Sequence, residues 1–402
     1  MPDSHGDSRA AKRRATDLGL YLSHEPVVIA ILSVAAVACF LLVGSLSRAY
    51  HARQDAFAVQ WYARGSADLR AHRYARAVAE FRSALLYSPD NYTYQFNLAE
   101  ALLGEKRIDE AAAYLVTLWE RQPDNGRVSL ELARIAAGRG QSEQAIRYYH
   151  NAIYATWPAS QPLGRQQTRL ELIDYLLAIG EKPQAQSELI ALAANIGDDP
   201  VKRAQVGDLF MRADDYVDAL AAFTTSLKDL PKNQAALVGA GRSAFELRRY
   251  ALARQYLRQA EALGRLDAES AARLETADLV LQMDPFRRPI PVAERNLLVI
   301  AAFAAAGKRL EACAPAGVAA ATAAAKTVAP TAAAPAEGQD LAAAWQKMKP
   351  RLTPWALWRD PDMAEGAMTL VFGIERRFAT TCADPTPADR ALVLIARLHE
   401  GS

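Results

Sequence analysis

The order of apolar and polar positions changes character several times along the chain. Between Val27 and Leu46 the sequence VVIAILSVAAVACFLLVGSL carries no charge over 20 residues. A helix rises ~1.5 Å per residue, so this stretch spans ~30 Å, the hydrocarbon thickness of a bilayer. Twelve of its residues are Leu, Ile, Val or Phe. Each favours insertion by roughly 0.3 to 0.6 kcal/mol, or about 4 to 7 kcal/mol together. A buried core helix is one alternative, but no other segment is greasy enough to enclose it. A cleaved leader is the other, yet the apolar part of a leader is usually only about 7 to 15 residues. This stretch is longer, starts late and ends without a small-x-small site. The pattern predicts a retained transmembrane helix over 27–46. Arg9, Lys12, Arg13 and Arg14 precede it, and Arg48, Arg53 and Arg64 follow. That bias, with the tolerance of long following domains to charge, puts residues 1–26 in the cytoplasm and the remainder outside the inner membrane. The reverse orientation is the alternative.

From residue 58 to residue 267 the pattern repeats over a longer distance. Ala77, Ala111 and Ala145 are 34 residues apart, and so are Ala185, Ala219 and Ala253. A six-residue insertion around SQPLGR separates the two triplets. Gly65, Ala99 and Ala133 keep the same period, as do Phe81, Leu115 and Tyr149, and Gly207 and Gly241. Pro89 and Pro123 share a column that Pro231 occupies further on. Such a period signals stacked hairpins, none of which can bury its apolar face alone. An ordinary helical bundle has no reason to keep it.

Residues 58–91 place Trp61, Gly65, Leu69, Tyr74, Ala77, Phe81, Ala84 and Pro89 in the spacing WxxxGxxxLxxxxYxxAxxxFxxAxxxxP. On these residues, and on Gly207, Phe210, Tyr216, Ala219, Phe223 and Pro231, the segment resembles the tetratricopeptide repeat (TPR) family. The resemblance implies six hairpins near 58–91, 92–125, 126–159, 166–199, 200–233 and 234–267. The first small residue lets two helices approach, the second lets the next hairpin dock, and the aromatic fills the hole between them. Proline ends the second helix by withholding an amide donor. The fourth unit departs from this, with Ile173 in the small column and Pro183 where Tyr is usual, and the third has its proline displaced to Pro158.

The resemblance also implies a solenoid whose concave face is lined by the first helix of each hairpin. Its fifth and ninth positions fall on Tyr62 and Ser66, Phe96 and Glu100, Leu130 and Arg134, Leu170 and Asp174, Ala204 and Asp208, and Val238 and Arg242. The protein-binding groove expected from this is Tyr62, Phe96, Glu100, Arg134 and Arg242, with Phe245 one turn further on. An apolar stripe edged by mixed charge suits an amphipathic or extended peptide. For Tyr62, Phe96 and Phe245, packing between helices is the alternative. The family's carboxylate clamp needs Lys and Asn in these columns, and only Asn97 is there.

Beyond the repeats, Asp267–Met283 and Glu294–Cys313 read as capping helices within 268–313, with PFRRPIP between them. Residues 314–336 hold 13 alanines and three prolines without apolar periodicity, which predicts a flexible linker over 314–340. Residues 341–402 resume as a small helical unit with helices at Met368–Phe378 and Asp389–Leu398. Trp345, Trp355 and Trp358 are expected as packing anchors of that unit rather than a ligand cage.

Candidate chemistry is sparse. Three cysteines without C-x-x-C spacing make no zinc site. Cys39 falls inside the apolar stretch. Cys313 and Cys382 flank the linker and pair in an oxidising compartment; otherwise they are buried free thiols. A net charge of +2 gives no basic face for nucleic acid. None of the six histidines stands at metal spacing, and AAAGKRL lacks the leading Gly and the Ser/Thr of a phosphate cradle. No nucleophile elbow or dinucleotide fingerprint occurs. The sequence therefore predicts no cofactor, no metal, no nucleic-acid partner, no small-molecule substrate and no enzyme. The expected architecture is all-α: a TPR-type helical-hairpin solenoid with one N-terminal transmembrane helix and a small helical C-terminal region. The expected role is a membrane-anchored scaffold that binds other proteins in a bacterial envelope, with its repeats periplasmic or extracytoplasmic. An accessory or regulatory subunit of a membrane enzyme or secretion complex is the alternative.

Overall fold

The computed structural model describes residues 7–313, 337–379, 382 and 385–399. The linker expected at 314–340 lies outside the described residues up to 336, as do residues 1–6. Among the described residues the regular elements are helices, joined in one place by a parallel bridge between Asn125 and Thr156. The chain divides into two compact units, residues 1–172 and 173–402.

The first unit opens with α1 (Asp7–Arg70), a single helix of 64 residues. The expected span and the first helix of the first hairpin are thus continuous. Residues 47–57, SRAYHARQDAF, offer neither Gly nor Pro to stop the helix between them. Over 28–46 the apolar side chains stand exposed all round the helix, Phe40 at 78%. Past residue 57 one face is covered, with Ala58 fully buried. There follow α2 (Tyr74–Tyr87), α3 (Tyr92–Gly104), α4 (Ile108–Arg121), α5 (Gly126–Gly138) and α6 (Ser142–Tyr154). Each packs on the helix before it. Helix α7 (Gly164–Ala178) begins in this unit. The second unit continues with α8 (Lys182–Ala193), α9 (Pro200–Arg212), α10 (Tyr216–Asp229), α11 (Gln234–Glu246) and α12 (Tyr250–Leu263).

Side-chain volume accounts for the periodic small residues. A Cβ on Gly65 would stand 2.8 Å from the Phe81 ring, one on Gly207 2.8 Å from Phe223, and one on Gly241 2.6 Å from Leu257. In each case the glycine lies on the first helix of a hairpin and the large residue 16 positions later on the second. The backbone supplies two further columns. His72, Lys106, Gly140, Gly180, Asp214 and Arg248 all adopt positive φ, from 56° to 83°. Immediately after each, an amide closes a six-residue turn, as in Arg107 N–H to Leu102 O and Asp215 N–H to Phe210 O, both 2.9 Å. This satisfies carbonyls left open at the end of the first helix. At the other turn Asn91, Asn125, Asp199, Asn233 and Asp267 cap the next first helix through side-chain oxygens, each contributing about 1 kcal/mol.

The insertion in the first unit is anchored by Trp157. Its indole Nε1–H donates to Ala152 O at 2.8 Å. A Cβ on Gly126 or Gly164 would stand 2.5 or 2.1 Å from its ring, so both glycines make room for it.

The second unit ends in α13 (Ala268–Met283), α14 (Val292–Cys313), α15 (Glu337–Met348), α16 (Pro354–Arg359), α17 (Asp362–Phe378) and α18 (Pro387–Leu398). Helices α13 and α14, expected as caps, turn their apolar faces into a shared core. Ala277, Val280, Val299, Phe303, Val371, Ile374, Leu392 and Ile395 are all buried there, and Tyr250 joins them from α12. Of the three tryptophans expected as anchors, only Trp345 behaves so. It is 3% exposed and stacks on Phe303 with ring centres 5.5 Å apart. Trp355 and Trp358 project from α16 into solvent because Leu357 takes the inward position on that short helix.

Candidate protein-binding face

In the first unit, α3 and α5, with the ends of α1 and α7 that lie there, present a series of hydrogen-bonded polar groups over an apolar floor. Tyr62 stacks on Tyr94 at 4.6 Å, and its hydroxyl accepts a hydrogen bond from Asn97 Nδ2 at 3.0 Å. Phe96 is 4% exposed, and the Arg127 guanidinium sits 4.3 Å above its ring. A visiting chain would therefore meet Arg127, with Phe96 as the support beneath it. Arg127 Nη2 donates to Glu100 at 2.8 Å. Two turns further along α5, Arg134 donates Nη1 to Glu131 at 2.7 Å. Its Nε and Nη2 donate to the two carboxylate oxygens of Glu171, both at 2.8 Å, a bidentate arrangement that fixes direction as well as distance. The Tyr149 hydroxyl donates to the same carboxylate at 3.0 Å.

Burial pushes the carboxyls of Glu100 and Glu131 above their ordinary range, and the arginines beside them only partly offset it. Burial acts on Glu171 in the same sense. There the hydrogen bonds and charge of Arg134, with the Tyr149 hydroxyl, outweigh it and hold the carboxyl below its ordinary value.

In the second unit α9, α11 and the start of α13 enclose a groove of ≈660 Å³, lined by Asp208, Arg212, Val238, Arg242 and Arg265 among others. Arg212 donates to Asp174 at 2.9 Å and Arg242 to Glu269 at 2.7 Å. Phe245 does not share this groove with Arg242. It packs edge-to-face on Tyr250 at 5.3 Å and borders a separate cavity of ≈300 Å³ with Thr276, Arg309, Glu375, Asp389 and Leu394.

Within each unit, then, the expected groove residues are sorted. Tyr62, Phe96 and Glu100 come together, Arg134 joins Glu171, Arg242 lines the second groove, and Phe245 turns toward the C-terminal core. Arg127, Glu131 and Glu171 were not expected. Glu131 and Glu171 stand one residue from Leu130 and Leu170 in the expected columns, whereas Arg127 occupies a position that no repeat column marks. Cys313 and Cys382 meet with Sγ atoms 1.95 Å apart and Cα atoms 5.6 Å apart. Among the described residues no three His, Cys, Asp or Glu are grouped to hold a metal ion.

Comparison with known proteins agrees with this hairpin geometry. Tetratricopeptide-repeat family profiles match residues 68–135, 102–156 and 207–281. These segments carry tetratricopeptide repeats. It is 30% identical over 159 residues to the TPR repeat-containing thioredoxin TTL4 of Arabidopsis thaliana; the match takes in 39% of this chain and 23% of that protein. Solved TPR structures resemble it at lower identity. A TPR protein fragment from Cytophaga hutchinsonii is 15% identical with a TM-score of 0.40, covering 59% of this chain and 92% of its own. The pilF protein of Pseudomonas aeruginosa is 17% identical with a TM-score of 0.36, covering 54% and 96%. TPR modules are protein–protein interaction scaffolds, and this chain carries two such segments.

Proposed function

We propose that this chain is a non-enzymatic, membrane-anchored TPR scaffold of a bacterial cell envelope, and that it binds other proteins along the first helices of its hairpins. Residues 27–46 span the inner membrane, the N-terminus is cytoplasmic, and the TPR region is periplasmic or extracytoplasmic. The observation that carries the binding role is the run of paired charges Glu100–Arg127 and Glu131–Arg134–Glu171 over a buried apolar floor. The arginines and glutamates of these pairs stay partly exposed, so a peptide with charges of its own can exchange partners with them, while Tyr62 and the aliphatic stems of the arginines supply apolar contact. The anchoring role is supported by the exposed apolar face of α1 over 28–46, the one helix among the described residues long and apolar enough to cross a membrane.

The test is site-specific photocrosslinking in the producing cell. A photoreactive residue at Ser66, Arg134 or Arg242 should yield discrete protein adducts. The same residue at Arg147 or Lys228, exposed on second helices, should not. Equal adducts from both sets, or none from the first, would refute the groove. A reporter active only outside the cytoplasm, fused after Ser402, tests the topology separately.

A further inference from the structure

Residues 347–359, KMKPRLTPWALWR, carry four basic side chains and no acidic one. All four, Lys347, Lys349, Arg351 and Arg359, are exposed. Trp355 and Trp358, three residues apart on α16, are 64% and 71% exposed, while Leu357 between them is fully buried and holds α16 to the core. The Arg359 guanidinium lies 5.3 Å from the centre of the Trp355 ring. Asp360 follows at once and is exposed, and Asp362 and Glu365 lie in the first turn of α17, where they complement the amide end of that helix.

Two indoles left in water need an explanation, since a folded protein gains by covering them. Indole is apolar in body and carries a single N–H, which is why it concentrates at the boundary between acyl chains and headgroups. Basic side chains flanking such indoles meet anionic headgroups and keep their stems in the apolar layer. A protein partner would accept the indoles equally well. The absence of any acidic residue over these 13 positions, and the candidate span in the same chain, favour lipid.

We propose that Trp355, Trp358 and Arg359 on α16, with Lys349 and Arg351 in the turn before it, form an interfacial contact for an anionic phospholipid bilayer. This rests on the reading of 27–46 as a membrane span only to bring the bilayer near; binding to lipid can be measured apart from it.

The experiment uses the full chain with phosphatidylcholine vesicles, with or without phosphatidylglycerol, and with brominated acyl chains that quench nearby tryptophan. The apolar stretch contains no Trp, and Trp61, the first in the chain, lies 15 residues, about 22 Å of helix, past Leu46. Quenching therefore reports on the region outside the span. The expected result is quenching that is stronger with phosphatidylglycerol, weakens as salt rises, and falls at least twofold in the double variant W355F/W358F. Neither substitution disturbs the core, because both side chains are exposed. Flotation of the same samples separates the two readings. A chain that floats with every vesicle but shows equal quenching in wild type and double variant keeps the anchor and overturns the contact. A chain that floats only with anionic vesicles and is released by salt keeps the contact and overturns the anchor. A chain that floats with none overturns both.

Discussion

Replacing Glu375 with glutamine should stabilise the second unit at neutral and alkaline pH. Glu375 is fully buried on α17, and neither of its oxygens has a hydrogen-bond partner. Its nearest cation, Arg309 Nε, is 3.7 Å away. That arginine is committed elsewhere, donating to Asp389 at 3.1 Å and to Phe378 O at 2.9 Å. Burial, then repulsion from Asp389, pushes the Glu375 carboxyl up to about 7 from an ordinary 4.5, against the attraction of Arg309. A carboxyl raised on folding contributes stability that is complete below about pH 4.5 and is lost as the pH rises through about 7. A difference of roughly 2.5 units at 1.36 kcal/mol each puts the loss at about 3 kcal/mol by pH 8. Glutamine keeps the shape, cannot ionise, and leaves Arg309 with both of its other acceptors. Thermal unfolding of the full chain, followed from pH 5 to pH 8, should show Glu375→Gln close to wild type at pH 5. At pH 8 its midpoint should be higher by roughly 6 to 12 °C, on a scale of about 2 to 4 °C per kcal/mol for a unit of this size. A variant no more stable than wild type at pH 8, or one with an unchanged pH slope, would refute the reasoning.

Three further outcomes follow from the packing. Cys382→Ser, or reduction, removes a crosslink spanning 69 residues and should lower stability by about 4 kcal/mol on the chain-entropy account; equal melting with and without reductant would remove the crosslink from the explanation. Lys106→Gly should raise stability by about 1 kcal/mol, since Lys106 sits at φ 62° where a Cβ is penalised; denaturant unfolding followed by far-UV circular dichroism reads it, and a lower midpoint contradicts it. Gly207→Ala should cost about 1 to 3 kcal/mol by overpacking against Phe223, measured the same way, and a neutral result would mean that the hairpin can open to admit a methyl group.

How far the sequence exposed this architecture depended on which groups carry the information. The close approach of paired helices was legible because it is written in side-chain volume: Gly65 against Phe81 and Gly207 against Phe223 are one column meeting another. The turns between helices were not, because positive φ is a backbone property that His72, Lys106, Gly140 and Asp214 share without sharing chemistry. The capping column Asn91, Asn125, Asp199, Asn233, Asp267 was legible in principle, since Asn and Asp are the residues that accept amides at helix starts, but apolar matching passes over it. The groove falls between these cases. Column arithmetic finds Arg134 and Arg242 because their Cα positions are fixed by the hairpin. It cannot find Arg127, whose guanidinium covers Phe96 from the start of α5, because the direction of a long side chain is set by its neighbours. Nor can it place Phe245 correctly, because what draws that ring away from Arg242 is Tyr250 together with the C-terminal helices, which lie outside the repeat. The same reasoning separates the tryptophans: Trp345 can be buried because Gly307 leaves a space in which a Cβ would stand 2.1 Å from its ring, while no glycine among the described residues makes such room for Trp355 or Trp358, and the inward position on their short helix goes to Leu357.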